Sequence, residues 1–222
     1  VRCTEINIEG LMNVFNFFLN AVFPRRCPLC DKFSGTNHPC IDCSLQLQRL
    51  EADANLPHIE KKWFSKCRSC FAYDGPVKEA IHSFKYNERL DIVRYFSGEL
   101  ASGLTRFDCP DVILPVPLHL KRLAARGFNQ SVLLTKHLSK KIKVKAEVNL
   151  LMRERDTRPQ VGLSKEGRFD NVKGAFLVDD KYKKRVADKH ILLIDDVLTT
   201  GATLNECARV LIKSGCKEVS IL

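Results

Sequence analysis

The run Ile191-Leu192-Leu193-Ile194, followed at once by Asp195-Asp196 and then by Thr199-Thr200-Gly201-Ala202-Thr203, restricts the fold more than any other part of this chain. Four consecutive apolar residues form the pattern of a central parallel strand covered on both faces. The acidic pair falls where that strand should end, and the short side chains after it let a ligand approach the backbone. Thr203 and Glu206 have capping-box spacing, which predicts a helix from Thr203. Leu204, Cys207, Ala208, Leu211 and Ile212 share one face of that helix, and Gly215 is a suitable stop. A turn of this kind presents free backbone N–H groups at the positive end of a helix dipole, which favours a phosphate. The carboxylates before it accept hydrogen bonds from sugar hydroxyls. Side by side, the two suit a ribose 5-phosphate. The spacing fits equally well a corner whose aspartates are solvated and whose threonines cap the helix.

With 222 residues there is room for one α/β domain and a small appendage. A net charge of +10 suits anionic ligands such as polyphosphates or nucleic acid, or serves as a solubilising surface. Of the ten cysteines, six stand in Cys-x-x-Cys pairs. That usage indicates metal binding in a reducing, cytoplasmic setting, not a disulfide framework. Leu11 to Phe23 is the most apolar stretch, but it is too short to span a bilayer and is broken by Asn13, Asn16 and Asn20. Residues 1–23 are expected as an amphipathic segment. Glu5 and Glu9 before it, and no small-residue cleavage site after it, argue against a signal peptide. The chain ends inside an apparent strand, Glu218 to Leu222, and is read as a fragment.

Cys27-Pro28-Leu29-Cys30 and Cys40-Ile41-Asp42-Cys43 are separated by a turn-rich loop containing Asp31, Ser34, Gly35, Asn37 and Pro39. Two such knuckles can place four thiolates tetrahedrally around structural zinc, within a module of residues 24–70 too small to hold itself together by burial. Cys67 and Cys70 run directly into Phe71-Ala72-Tyr73, which is expected as a strand, a poor geometry for chelation. Exchange of one pair for Cys67 and Cys70 remains the alternative. His38 and His58 are spare candidate ligands, and Cys3, Cys109, Cys207 and Cys216 are read as structural. Leu45 to Lys62 is expected as a helix and a linker.

From Phe71 the order of elements predicts an α/β domain over 71–222 with a mainly parallel sheet. Val77 to Tyr86 and Ile92 to Leu104 read as helices, and Val112 to Val116 as a strand. After that strand come Lys121, Arg122 and Arg126 around Gly127, at the sheet edge where open α/β folds bind ligands. The planar fork of arginine holds two phosphate oxygens at once. Arg153 to Asn171, with Arg153, Arg155, Arg158, Lys165 and Arg168, reads as a mobile basic loop. Lys181 to Arg185 reads as a solvated hairpin.

Several of these segments also resemble known signatures. Ile194-Asp-Asp-Val-Leu-Thr-Thr-Gly-Ala-Thr203 is similar to the phosphoribosyl pyrophosphate (PRPP) loop of type I phosphoribosyltransferases. Pro115-Val-Pro-Leu-His119 through Arg126-Gly-Phe-Asn-Gln130 resembles the most distinctive motif of the ComF family, competence-associated proteins with an N-terminal zinc ribbon. The resemblance runs from Phe23-Pro24-x-x-Cys27 through Phe84-Lys85-Tyr86, Arg153-x-Arg155-x-Thr157-x-x-Gln160, Arg168-x-x-Asn171 and Gly174-Ala175-Phe176 to the PRPP loop. Many relatives carry eight N-terminal cysteines where this chain has six, so a second complete zinc site is not expected. The C-terminal strands usual in the family are missing here.

The resemblance implies a type I phosphoribosyltransferase fold that binds PRPP with Mg²⁺. Thr199, Thr200, Gly201, Ala202 and Thr203 would hold the 5-phosphate, and Asp195 and Asp196 the ribose hydroxyls. Arg122 and Arg126 would steady the departing pyrophosphate. Arg158, Gln160 and Arg168 belong to a loop that closes over the ligand, in a pattern similar to amidophosphoribosyltransferases. Mg²⁺ would be carried largely by pyrophosphate and water. The resemblance also implies a role in natural transformation, with single-stranded DNA and other competence proteins as partners. The competing reading is a non-catalytic binding module in which PRPP is regulatory or vestigial.

Overall fold

The computed structural model describes residues 25–222 except 55, 57, 58, 88, 107 and 159–161. The expected amphipathic segment, His58 and Gln160 lie outside the described residues. Among the described residues, no helix is long and apolar enough to cross a membrane.

Five strands form a parallel sheet in the order β1 (Lys66–Cys67), β7 (Glu218–Ile221), β6 (His190–Ile194), β2 (Val112–Pro115), β3 (Lys145–Ala146). β6 is central and every residue in it is buried. Its pleat sends side chains alternately to two cores. Ile191 and Leu193 join Val112, Leu114, Val219 and Ile221 on one face, and Leu192 and Ile194 join Ile113 on the other. The continuous apolar run therefore serves two layers at once.

One core is closed by α8 (Ala202–Lys213), through Leu204, Cys207, Ala208 and Leu211. The other is closed by α2 (Gly75–Phe84), α3 (Leu90–Gly103) and α5 (Gln130–Ile142), and here Cys27, Leu29 and Cys43 of the cysteine module are packed in as well. α1 (Ile41–Gln46) belongs to that module, and α4 (Leu120–Arg126) follows β2. A separate antiparallel pair, β4 (Leu151–Arg153) with β5 (Phe176–Val178), stands beside the sheet as a hood, with α6 (Lys165–Val172) in its connection.

Some expectations need correction. The strand expected at Phe71 to Tyr73 is an isolated bridge of Phe71 to Arg49, and the edge strand lies earlier, at Lys66–Cys67, within the 24–70 region. The helix expected after Leu45 has ended by Gln46. The basic stretch Arg153 to Asn171 contains the end of β4 and most of α6, which starts from a Ser164 cap whose hydroxyl accepts the Gly167 N–H at 3.1 Å. The basic run Lys181 to Arg185 is a 3₁₀ turn followed by α7 (Lys183–Val186), not a hairpin. The capping box also fails: α8 starts one residue early, at Ala202, and Glu206 instead accepts the Gly174 N–H and pairs with Arg209.

Candidate functional site

From β2 the chain crosses to β3 on one side, and from β6 it crosses to β7 on the other. The crevice between the carboxyl ends of β2 and β6 is thus a topological switch point, where open α/β sheets take ligands. A cleft of about 300 Å³ lies there, lined by Asp195, Asp196, Thr199, Gly201, Ala202 and Thr203 on one side and by Lys85, Arg122, Arg126 and Arg153 on the other. An apolar cavity of about 320 Å³ shares the carboxylate pair and runs on beneath Phe71, Tyr73, Val77 and Phe96.

Asp195 and Asp196 leave β6 in succession. Asp195 is held by the Ser131 hydroxyl, which donates to Oδ1 at 3.1 Å, and by the Asp196 N–H at 3.0 Å. Its own N–H donates to the Leu222 carbonyl, continuing the ladder to the last residue of the chain. Burial and the neighbouring Asp196 charge push the Asp195 carboxyl up to about 7. Burial also raises Asp196, against the opposing pull of Lys85 and Arg126. Lys85 Nζ stands 4.0 Å from Asp196 Oδ2. Positive charge or hydroxyl donors entering the cleft favour the ionised form of the pair.

The loop from Val197 to Gly201 delivers the chain into α8. Gly201 takes φ +77, and a methyl group there would lie 2.7 Å from Leu56 Cδ1 and 3.0 Å from Ile59 Cδ1. The turn is therefore pressed from below by the segment that follows the cysteine module. Thr200 Oγ1 accepts the Ala202 N–H at 3.4 Å. The first turn of α8 lines the cleft through Ala202, Thr203 and Leu204, at the positive end of the helix dipole, which favours an anion.

The cations come from two elements. α4 carries Arg122 and Arg126 and ends at Gly127 with φ +80. Asn129, the cap of α5, donates to the Val116 carbonyl at 3.0 Å and accepts the Ser131 N–H at 3.0 Å, which fixes the end of β2 against the helix that supplies Ser131. From the hood comes Arg153. Of the loop residues expected over the ligand, Arg158 is exposed and Arg168 donates to the Leu163 carbonyl at 3.3 Å, and neither lines the cleft. Lys85, Ser131 and Arg153 were not assigned to the site from sequence. They lie on separate elements, and only the strand order brings them together.

Cys27, Cys30, Cys40 and Cys43 lie with their sulfurs all within 4.8 Å of one another. Cys27 and Cys30 flank a tight turn closed by the Cys27 N–H on the Lys32 carbonyl at 2.8 Å, and Cys40 caps α1. Cys30 Sγ and Cys40 Sγ are 3.7 Å apart, close to the edge of a tetrahedron with metal–sulfur bonds of about 2.3 Å. Burial raises the Cys27 thiol, but the backbone N–H groups of Cys30, Cys40 and Leu29 outweigh it and bring the thiol down to about 7. The donor set fits a zinc ribbon. Cys67 and Cys70 do not join it: Cys67 is buried in β1, and burial raises its thiol to about 12 and that of Cys70 to about 11. Nor does His38 belong to the cluster.

The model of the phosphoribosyl transferase domain family matches residues 129–222, which include α5, the hood, β6, the loop and α8. The chain is 34% identical over 202 residues to the DNA utilization protein YhgH of Escherichia coli, covering 88% of this chain and 87% of that protein. It is 28% identical over 232 residues to Competence protein F of Haemophilus influenzae, covering 95% and 97%. Competence protein ComFC of Bacillus subtilis is 29% identical over 192 residues, covering 85% and 72%. With a phosphoribosyltransferase-type domain behind a four-cysteine cluster, and with relatives matched over most of their length, the chain belongs to the ComF family.

Proposed function

We propose that the cleft binds PRPP with Mg²⁺ and that the protein transfers its phosphoribosyl group to an acceptor, in a process serving DNA uptake. The observation that carries this is the meeting of three parts at one switch point: a half-buried carboxylate pair, the amino end of α8, and a cationic wall. The 5-phosphate sits on the loop 199–203, and Asp195 and Asp196 accept the ribose hydroxyls. Mg²⁺, which keeps several waters and prefers phosphate oxygens, would be carried largely by the pyrophosphate and would supply positive charge to the departing group. In the transfer the C1′–oxygen bond breaks with its electron pair leaving on pyrophosphate, and the acceptor's lone pair forms the new bond at C1′. The acceptor's proton goes to solvent or to a carboxylate poised near neutrality. No protein nucleophile is needed, because catalysis is positioning and charge stabilisation in the cleft. Zinc held by Cys27, Cys30, Cys40 and Cys43 stabilises the amino-terminal module and takes no part in the reaction.

The names of the relatives support the link to competence and DNA use. A non-catalytic adaptor for single-stranded DNA or protein is the second reading, favoured by the net charge of +10. Pyrophosphate release from PRPP, with ammonium as the test nucleophile, separates the two. Release that disappears in Asp196→Ala is the expected result. Salt-sensitive binding of single-stranded DNA with no pyrophosphate release would favour the adaptor.

A further inference from the structure

Two hollows meet at the carboxyl end of β6, the polar cleft and the apolar cavity of about 320 Å³. They share Tyr73, Asp195, Asp196, Val197, Thr199 and Leu204, whereas Arg122, Arg126 and Arg153 line the cleft alone. Buried apolar side chains from α2 and α3, among them Val77, Phe84 and Phe96, wall the cavity together with Phe71. The Phe71 ring is fixed in place, edge-on to Phe96 with centroids 6.2 Å apart and stacked on Tyr95 at 6.3 Å. Tyr73 stands at the junction of the two hollows and is 40% exposed. Besides the carboxylate pair, the charged residues described in this lining are Arg68 and Glu99, and each already has a partner. Arg68 Nε lies 3.1 Å from Asp53 Oδ1, and Glu99 Oε1 accepts from Arg49 Nη2 at 3.0 Å.

A lining of this kind is costly for a bare charge, because apolar walls do not repay the loss of water. It favours a flat ring, which buries a large apolar area against aromatic neighbours and keeps a polar edge at the mouth. We infer that the apolar cavity is the acceptor subsite and takes a neutral nitrogen heterocycle, with its ring among Phe71, Tyr73 and Phe96 and its nucleophilic nitrogen beside the carboxylate pair. The inference rests on the PRPP reading proposed above and names the class of acceptor within it. The lone pair of the ring nitrogen forms the bond at C1′ as the C1′–oxygen bond breaks onto pyrophosphate. A proton carried by that nitrogen leaves to solvent or to the carboxylate pair. Ammonium reaches the same carbon only as a small nucleophile, with no surface to bury in the cavity. An anionic ring meets the carboxylates and finds no unpaired cation described in the cavity to offset them.

The test is pyrophosphate release from PRPP with Mg²⁺, with benzimidazole and adenine as neutral ring probes and ammonium and orotate as the small and the anionic controls. At equal concentration at least one neutral ring should raise release at least about ten-fold above either control. Calorimetry reads binding of PRPP and of each ring separately. Val77→Phe fills the cavity from its wall and should abolish the advantage of the ring while PRPP affinity stays within about two-fold. Tyr73→Ala lies at a half-exposed position that the fold tolerates, and should reduce the use of the ring by about five-fold through lost stacking. Rings no better than the controls, in a wild type that binds PRPP, would overturn the assignment, as would a full ring advantage in both variants. A wild type that binds a ring but not PRPP, with ring binding lost in Val77→Phe, would sustain the aromatic subsite and sink the PRPP reading. One that binds neither sinks both.

Discussion

At the scale of single residues, the site is a set of charges held under strain by burial, and that strain is measurable. Asp195 carries a carboxyl raised from 3.8 to about 7, with burial as the leading cause and Asp196 next. The folded protein therefore holds this proton more tightly than the unfolded chain does. The favourable contribution is present below pH 4 and is lost as pH rises towards 7, so the ionised group destabilises the fold at neutral pH and above. Asp195→Asn is expected to stabilise the protein by on the order of 2 kcal/mol at pH 8, with the gain shrinking towards pH 4, while weakening ligand binding. Denaturant unfolding at the two pH values checks this. A variant less stable than wild type at pH 8 would mean that Asp195 is a structural anchor. The place of the acidic pair at the end of the strand was legible from the apolar run before it, but its role was not, because the same spacing suits solvated aspartates. Lys85, Ser131 and Arg153 were not legible, since each owes its place to the packing of a different element onto the sheet.

At the scale of elements, the β6–loop–α8 corner is where local sequence and tertiary structure agree best. Four buried aliphatic residues, a glycine and an amphipathic helix fixed the order of parts and almost their boundaries. The capping box was misleading because Glu206 has two stronger partners, the Gly174 N–H and Arg209, neither of which is visible in a local window. Phe71 to Tyr73 looked like a strand because aromatic residues suit one. The sheet edge went instead to Lys66–Cys67, whose neighbours can follow β7 in register. Gly201 is the element's tightest point. Gly201→Ala combines a positive φ with contact against Leu56 and Ile59, and is expected to cost about 2 kcal/mol and to displace the loop before α8. Thermal unfolding and PRPP binding measured on the same sample check it. A variant with wild-type stability and affinity would show that the segment below the loop yields freely.

At the scale of the whole molecule, the cysteine module is part of the fold and not an appendage on a tether. Arg89 joins Asp31 at 3.1 Å and the Cys27 carbonyl at 3.3 Å to α3, and Arg49 pairs with Glu99 of α3 while lying 5.0 Å over Phe71. The following segment is held to α8 by Asn205, which accepts the Trp63 N–H at 2.9 Å and donates to the Lys61 carbonyl at 3.0 Å. Zinc in the module should thus be felt at the ligand site. The purified protein is expected to hold one zinc per chain, lost in Cys43→Ser and kept in a Cys67→Ala, Cys70→Ala double variant, as metal analysis would show. Loss of zinc from the double variant alone would move the site to the other pair. The Cys-x-x-Cys spacing made the cluster legible, whereas its docking through Arg49 and Arg89 depends on α3 and could not be read from the chain. The central claim is that the switch-point cleft is a PRPP site, and calorimetric titration of the zinc-loaded protein with PRPP and Mg²⁺ tests it most directly. Saturable binding to the wild type, lost in both Asp195→Ala and Asp196→Ala, is the predicted result. A folded protein with full zinc content that does not bind PRPP, or binds it equally well without the two carboxylates, would contradict it.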